Sequence, residues 1–117
     1  MNARKELGKK GEDIAAHYME KQGFRIEDRN YRCGLGEIDL IASSDEFLVF
    51  VEVKARTAGH PIHPGESVTP KKQAKVRQVG EHYMASHPRV TKQPRFDVIA
   101  VELDGGQETV EHIPNAF

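Results

Sequence analysis

The stretch FLVFVEVK, residues 47–54, decides the fold of this chain. Its first five residues are apolar and mostly aromatic or β-branched, which is typical of a buried strand, and the strand then ends in Glu52-Val53-Lys54. A second apolar segment, GEIDLIA at residues 36–42, also carries two carboxylates, Glu37 and Asp39. Because an unpaired buried charge costs several kcal/mol, charges within core strands indicate a function there.

The rest of the sequence predicts two helices and further strands. Helices are predicted over residues 4–22 and from Pro70, after the N-cap Thr69, to the segment 86–88. Strands are predicted over residues 24–31, 36–42, 47–55, 96–103 and 108–113. The turn sequence SSDE, residues 43–46, indicates an antiparallel hairpin between the second and third strands. The expected product is one mixed α/β domain over residues 1–117, in the order helix, three strands, helix, strand, strand.

The composition describes an ordinary soluble protein. A chain of 117 residues has the size of one domain, and 38% hydrophobic with 30% charged residues is unremarkable for a globule. No apolar run approaches the length of a membrane span, and the N-terminus has no apolar signal core. Cys33 is the only cysteine, so an intrachain disulfide is excluded. We therefore expect a cytoplasmic protein with no membrane partner.

The charge is distributed unevenly along the chain. The net charge of −1 argues against nucleic acid as a partner. However, residues 68–95 hold seven basic side chains and one acidic side chain, and residues 1–10 hold four basic and one acidic. After residue 95, the Asp and Glu side chains have no Lys or Arg to balance them. A phosphate backbone responds to local potential, so this pattern supports nucleic-acid binding. A mixed, solvated surface explains the charges alone equally well.

The strand geometry can bring the charged residues together. Glu52 and Lys54 share a face of the third strand, because strand side chains alternate. If the hairpin pairs Ala42 with Phe47, then Asp39 lies diagonal to Glu52, at roughly 7–8 Å between Cα atoms, and one metal ion can bridge the two carboxylates. A one-residue change in the turn would place them on opposite faces.

These residue types suit metal-assisted phosphodiester hydrolysis. Mg²⁺ prefers hard oxygen ligands and keeps several waters, so Asp39, Glu52 and the Val53 carbonyl suffice to hold it. Lys54 can then orient a water or stabilise developing negative charge. For a Glu-x-Lys triplet alone, a structural ion pair between Glu52 and Lys54 is favoured over a catalytic role. Asp39 in the neighbouring strand shifts the balance to a catalytic site.

Each helix offers one further candidate. Lys72 continues the apolar stripe of Val76, Val79 and Tyr83, so it can lean over the sheet edge where a phosphate would lie. A lysine whose stem covers apolar surface is an equal alternative. Glu12 flanks the buried stripe of the first helix and could be a third acid, although periodicity alone favours a solvated glutamate.

The motif resembles that of the PD-(D/E)xK nuclease superfamily, which includes restriction endonucleases and archaeal Holliday-junction resolvases. The chain is more closely similar to the YraN-like family of small bacterial proteins. The matching segments cover nearly the whole chain: GKKGE (8–12), GEIDLIA (36–42), FVEVKAR (50–56), TPKK (69–72), RFDV (95–98) and HIPNAF (112–117).

The resemblance implies a restriction-endonuclease-like αβββαβ core, with a mixed central sheet flanked by helices and an extra C-terminal strand. It implies a Mg²⁺- or Mn²⁺-dependent endonuclease in which Asp39 and Glu52 are metal ligands, Lys54 is the catalytic lysine and Glu12 is the helical acid. Ile38 stands where the literal motif has proline.

The implied substrate is DNA rather than RNA, with branched or structured DNA in repair or recombination as a candidate, and a homodimer is plausible by analogy with resolvases. The expected contacts to the nucleic acid come from basic and amide side chains of the third strand and second helix: Arg56, Lys71, Lys72, Gln73 and Lys75. The alternative function is a non-catalytic nucleic-acid-binding or partner-binding module on a nuclease fold.

For other polar residues, the sequence gives weaker grounds for a functional role. Glu37 could be an extra ligand, because it is expected on the same strand face as Asp39. Asp97 within an apolar strand predicts a structural ion pair with a nearby arginine. Cys33, next to Gly34, has no basic pair tuned to activate it as a nucleophile. The spacing of the two histidines in the segment 60–63 suits loop chemistry better than a metal site.

Overall fold

The structure, a computed structural model, describes residues 3–59, 68–88 and 90–117. Its helices and strands, in chain order, are α1 (Ala3–Lys21), β1 (Arg25–Cys33), β2 (Gly36–Ser43), β3 (Phe47–Thr57), α2 (Pro70–Ser86), β4 (Gln93–Asp104) and β5 (Gln107–Ile113). This order confirms the restriction-endonuclease-like αβββαβ core with an extra C-terminal strand. The predicted limits differ from the observed ones by a few residues, as expected at frayed ends. The predicted loop after the third strand, including the histidines of segment 60–63, lies largely outside the described residues.

A mixed sheet of five strands, in the order β1-β2-β3-β4-β5, forms the centre of the described residues. Strands β3 and β4 are parallel along the whole of β3, from Phe47 to Thr57, and helix α2 provides the crossover between them. The other neighbouring strands are antiparallel. Because β3 lies in the middle of the sheet with both faces covered, its sequence is a continuous apolar run rather than an alternating one.

The two helices cover opposite faces of the sheet. On one face, Ala15 and Met19 of α1 pack against Leu40, Val49 and Val51. On the other face, buried residues of α2 pack against buried residues of β2, β3 and β4: Val76, Val79 and Tyr83 against Ile41, Phe50 and Phe96. No helix in the described ranges is long and apolar enough to cross a membrane.

Helix α2 begins as its sequence predicts. The Thr69 hydroxyl accepts a hydrogen bond from the Lys72 main-chain N–H at 3.2 Å, and Pro70 occupies the first turn. This cap satisfies one of the free N–H groups of the helix start. It also fixes Lys72 in the first turn, where α2 rises from the sheet.

Helix α1 approaches the sheet most closely at Gly11. A Cβ atom built on Gly11 would lie 2.6 Å from the Ala55 Cβ, which is closer than two carbon atoms can pack. Glycine therefore lets the helix backbone lie directly on β3. The next residue, Glu12, is half-buried.

Asp97 is fully buried on β4, and it holds the C-terminal segment against the sheet. It accepts two hydrogen bonds from Arg95, at 2.9 and 2.7 Å, one from the Asn115 main-chain N–H at 2.9 Å, and lies 2.6 Å from His112 Nε2. Burial alone would raise the pKa of Asp97, but the bonds from His112, Arg95 and Asn115 outweigh it and lower the pKa. The predicted ion pair with an arginine is confirmed, and His112 is a partner that the sequence reasoning missed.

Candidate metal and nucleic-acid site

The hairpin between β2 and β3 is tighter than the sequence suggested. Ser44 and Phe47 close it: the Ser44 N–H donates to the Phe47 carbonyl at 2.9 Å, and the Phe47 N–H donates to the Ser44 hydroxyl at 3.1 Å. The loop therefore consists of Asp45 and Glu46 alone, and Ala42 pairs with Val49. The expected pairing of Ala42 with Phe47 was wrong by two residues. An even shift keeps every side chain on its face.

This register brings Asp39 next to Glu52. The ladder ends at the pair of Leu40 and Val51, so the next position along the strands places Asp39 across from Glu52. The carboxylate of Asp39 accepts a hydrogen bond from the Val53 main-chain N–H at 2.8 Å. The side chain thus takes the place of a strand partner where β2 and β3 separate.

The face alternation of β2 is interrupted at Asp39. Ile38 packs in the α2 layer and Leu40 packs in the α1 layer, although they are two residues apart. The interruption removes the reason to expect Glu37 on the same face as Asp39. Glu37 is exposed, and its carboxylate pairs with Arg32 at 2.8 Å.

Glu52 is a buried carboxylate with an unsatisfied oxygen. Its side chain is only 9% exposed, and its Oε2 atom has no hydrogen-bond partner among the described residues. Burial and the neighbouring charge of Asp39 raise the pKa of Glu52 to about 7, although Lys72 and Lys54 act against the rise. Burial also raises the pKa of Asp39. Two carboxyl groups in such a position need a proton or a cation between them.

Two lysines converge on this pair of acids. Lys72 Nζ lies 3.6 Å from Glu52 Oε1. Burial and the neighbouring Lys72 amine lower the pKa of Lys54. For Lys72, burial acts to lower the pKa, but the neighbouring Lys54 amine and the charges of Glu52 and Asp39 outweigh it and raise the pKa. Lys72 is therefore the more firmly charged of the two.

Glu12 approaches the acids from the α1 side of the sheet. It is half-buried, and burial raises its pKa. The Asn30 side chain acts against this rise, and the negative charge of Asp39 adds to it. Asn30 itself has a positive φ of 53°, a conformation that asparagine tolerates better than most residues. The sequence reasoning missed Asn30, although an asparagine within a strand pattern is a signal for such an irregularity.

The remaining predicted contacts are arranged less uniformly. The Gln73 amide donates to a main-chain carbonyl at the start of α2, at 3.1 Å, so it is used within the protein. Arg56 pairs with Glu102 of β4 at 2.9 Å. Lys71 and Lys75 are exposed on α2, beside Lys72. The structure thus brings Asp39, Glu52, Lys54 and Lys72 together and leaves Gln73 and Arg56 in local contacts.

The donor set fits a hard divalent cation better than a softer metal. Among the described residues there is no group of three or more His, Cys, Asp or Glu side chains placed to hold a metal ion. A site built from Asp39, Glu52, the Val53 carbonyl and waters is incomplete for zinc, which takes four protein ligands in structural sites. It is the kind of site that Mg²⁺ or Mn²⁺ uses, and the unpartnered Glu52 Oε2 would be satisfied by the ion.

Comparisons with known proteins show a family match that covers most of the chain. The model of the uncharacterised protein family UPF0102 matches residues 11–101, which include all four converging side chains. A UPF0102 protein of Geobacter metallireducens is 42% identical over 97% of this chain and 93% of its own length. Those of Syntrophotalea carbinolica and Pelotomaculum thermopropionicum are each 45% identical, over 97% and 99% of this chain and 93% and 98% of their own lengths. These names state no activity.

Proposed function

We propose that this chain, which belongs to the uncharacterised protein family UPF0102 as the YraN-like resemblance predicted, is a metal-dependent endonuclease that hydrolyses phosphodiester bonds of DNA. The observation that carries the proposal is the convergence of two buried carboxyl groups, Asp39 and Glu52, with the amines of Lys54 and Lys72. A purely structural ion pair would need one acid and one base. The second acid raises the pKa of Glu52, which is a cost to the metal-free fold that a bound cation removes.

In the proposed hydrolysis, each of these residues has a separate role. Asp39, Glu52 and the Val53 carbonyl would hold Mg²⁺ or Mn²⁺, which when bound polarises the phosphoryl group and acidifies a water. Lys54, the lysine two residues beyond Glu52 on the same strand, orients the attacking water or stabilises the developing negative charge, and burial lowers its pKa. Lys72 remains charged and stabilises negative charge on the phosphoryl oxygens. Attack of water on phosphorus would form a new P–O bond and break the P–O3′ bond. The departing O3′ takes up a proton, which leaves 5′-phosphate and 3′-hydroxyl ends, as the nuclease resemblance implies.

The surface of α2 supports DNA as the substrate. Lys71 and Lys75 are exposed on the helix that carries Lys72 toward the acids, and both lie within the first two turns. Phosphates that contact these lysines would bring the backbone of a duplex over the site. Such contacts make binding salt-dependent even when the net charge of the protein is −1.

A cleavage assay with matched variants tests the proposal. Labelled duplex, branched and single-stranded DNA and RNA are incubated with wild type in Mn²⁺, in Mg²⁺ and in EDTA. The site variant is Asp39→Asn/Glu52→Gln, and the control is Asp45→Asn/Glu46→Gln, which makes the same chemical change in the exposed hairpin loop between the same strands. We expect metal-dependent cleavage by wild type and control, and a rate lower by about 10² or more in the site variant.

Two outcomes would contradict the proposal. Cleavage that survives in EDTA or in the site variant would show that other residues or a contaminant do the chemistry. Salt-sensitive binding of DNA by wild type, with no cleavage of any of these substrates in either metal, would instead favour the non-catalytic binding module.

A further inference from the structure

A groove runs between α1 and β1, and Glu12 is one of the residues that line it. Its volume is about 720 Å³, and the residues that define it here are Lys5, Gly8, Lys9 and Glu12 of α1 with Arg29 and Arg32 of β1. We call it the α1–β1 groove. It includes the basic N-terminal segment, which the proposed function does not use.

Gly8 in this groove has no structural explanation within the fold. A Cβ atom built on Gly8 would meet nothing within 4 Å, whereas Gly11, one turn later, is required by the contact with Ala55. A glycine in a helix interior costs about 1 kcal/mol relative to alanine. A ligand that approaches the helix backbone closely would account for a missing side chain at this position.

The groove is lined by four basic and three acidic side chains, so its formal charge is positive by one. The carboxylates of Asp13 and Glu37 are neutralised by Arg29 at 2.6 Å and by Arg32 at 2.8 Å. Lys5 and Lys9 lie four residues apart on one helix face, on the same side as Gly8, and both are exposed. Neither lysine forms an ion pair with another described residue. Their charges are therefore available to a ligand.

The groove is continuous with the candidate site at one end and with a hairpin tip at the other. Glu12 lines the groove, and the charge of Asp39 acts on its pKa. Arg32 and Glu37 line both the groove and a concavity at the tip of the β1–β2 hairpin. That tip carries Leu35, which is 48% exposed and is the large hydrophobic side chain that stands out among the described residues.

We propose that the α1–β1 groove binds the phosphate backbone of a single DNA strand that has separated from a duplex bound along α2. The inference rests on the proposed function, because it assigns that site a forked substrate. The volume of the groove is that of a small-ligand pocket, which suits a few phosphate and sugar groups of one strand. Leu35 at the hairpin tip is an apolar side chain of the kind that wedges between base steps and keeps strands apart.

Binding measurements in EDTA test the groove without any cleavage. The anisotropy of a labelled splayed-arm fork and of a plain duplex of the same sequence is measured across a range of salt concentrations. The groove variant is Lys5→Ala/Lys9→Ala, and the control is Lys10→Ala/Lys21→Ala, which removes two exposed charges from the same helix outside the groove. Gly8→Leu fills the groove without a change of charge, and it should not lower the melting temperature because it removes a glycine from the helix interior.

We expect wild type to bind the fork about tenfold more tightly than the duplex. For the groove variant this preference should disappear, and the salt slope for the fork should fall by about 1.4, since each lost contact to a single strand accounts for about 0.7. Gly8→Leu should also lose the preference. The control should keep the preference of the wild type and bind the fork with nearly its slope.

Equal affinity of wild type for fork and duplex would overturn the inference. So would a groove variant that weakens fork and duplex by the same factor, because a nonspecific charge effect would then explain it. If wild type binds neither DNA at low salt, the proposed function fails together with the inference. If the fork preference depends on the groove but no fork is cleaved in Mn²⁺, the groove is supported and only the endonuclease activity is overturned.

Discussion

Burial disfavours the charge of Glu52, and no donor among the described residues satisfies its Oε2 atom. The pKa of about 7 follows from that burial and from the charge of Asp39. In the metal-free protein, the neutral form of Glu52 is therefore favoured over a range of pH in which an exposed glutamate is already ionised. A raised pKa of this origin is also a stability effect, because the unfolded chain does not share it.

The stability of the metal-free protein should therefore fall as the pH rises. The folded pKa of about 7 lies above the ordinary value of 4.5, so the folded state holds the proton more tightly between these limits. The contribution is complete below pH 4.5 and is lost as the pH rises through 7. In EDTA, we expect Glu52→Gln to remove most of this slope and to be more stable than wild type at pH 8, by up to about 3 kcal/mol. Urea unfolding of both proteins at pH 5 and pH 8 measures this difference in stability.

The control for this measurement is Glu46→Gln, which makes the same change in the exposed hairpin loop and should follow the wild type. The lowered pKa of Asp97 acts on stability in the opposite direction, because the stability that it contributes is lost as the pH falls. The range from pH 5 to pH 8 lies above this pKa, so Asp97 does not affect the comparison. A Glu52→Gln protein that is no more stable than wild type at pH 8 would contradict the burial argument.

Single residues differed in how far the sequence revealed them. Asp39, Glu52 and Lys54 could be identified because charges within apolar strands are conspicuous. Lys72 could be placed by its helical spacing from Val76 and Val79. The contacts of Asn30 and His112 could not be found in this way, because each depends on a partner distant in the chain, Glu12 and Asp97.

At the scale of elements, the type and order of each strand and helix followed from periodicity, but the hairpin register did not. The loop of residues 43–46 was expected to be open over four residues, and the bonds between Ser44 and Phe47 shorten it to two. Two hairpin loops of the same parity keep the same faces, so the pattern of apolar residues cannot distinguish them. The difference moved Asp39 from a diagonal position to one across from Glu52.

The contact of α1 with β3 is a second feature of elements, and it makes opposite predictions for two glycines. Gly11→Ala should lower the free energy of unfolding by about 1–3 kcal/mol, because its Cβ would overlap the Ala55 Cβ. Gly8→Ala, in open space on the same helix, should raise it by up to about 1 kcal/mol. Urea unfolding of the three proteins measures both effects.

A double-mutant cycle shows whether the overlap is the cause. Ala55→Gly alone should be mildly destabilising, and Gly11→Ala/Ala55→Gly should recover much of the stability that Gly11→Ala loses, since the two Cβ atoms no longer meet. If the two substitutions are simply additive, the close approach of α1 to β3 at this point is not what requires a glycine.

For the whole molecule, the sheet topology explains why the site forms where it does. Strand β3 is parallel to β4 and antiparallel to β2, and β2 and β3 separate beyond the pair of Leu40 and Val51. The opening leaves the carboxylates of Asp39 and Glu52 between the two helices. Lys72 of α2 lies beside Glu52, and Glu12 of α1 is near enough to Asp39 for that charge to act on its pKa. Basic side chains on both helices flank this opening, although the net charge is −1.

A metal that binds only the folded protein should stabilise the whole molecule, and by an amount that depends on pH. At a hundred times its Kd the ion adds about 2.7 kcal/mol, which corresponds to a rise in Tm of roughly 10 °C for a domain of this size. Because Glu52 must lose its proton to bind, with a pKa of about 7, the affinity for Mn²⁺ should be about tenfold weaker at pH 6 than at pH 8. Thermal melting with Mn²⁺ or EDTA at both values measures the shift. The rise in Tm should vanish in Asp39→Asn/Glu52→Gln and persist in Asp45→Asn/Glu46→Gln. An equal rise at both pH values, or a rise that the site variant retains, would place the ion elsewhere.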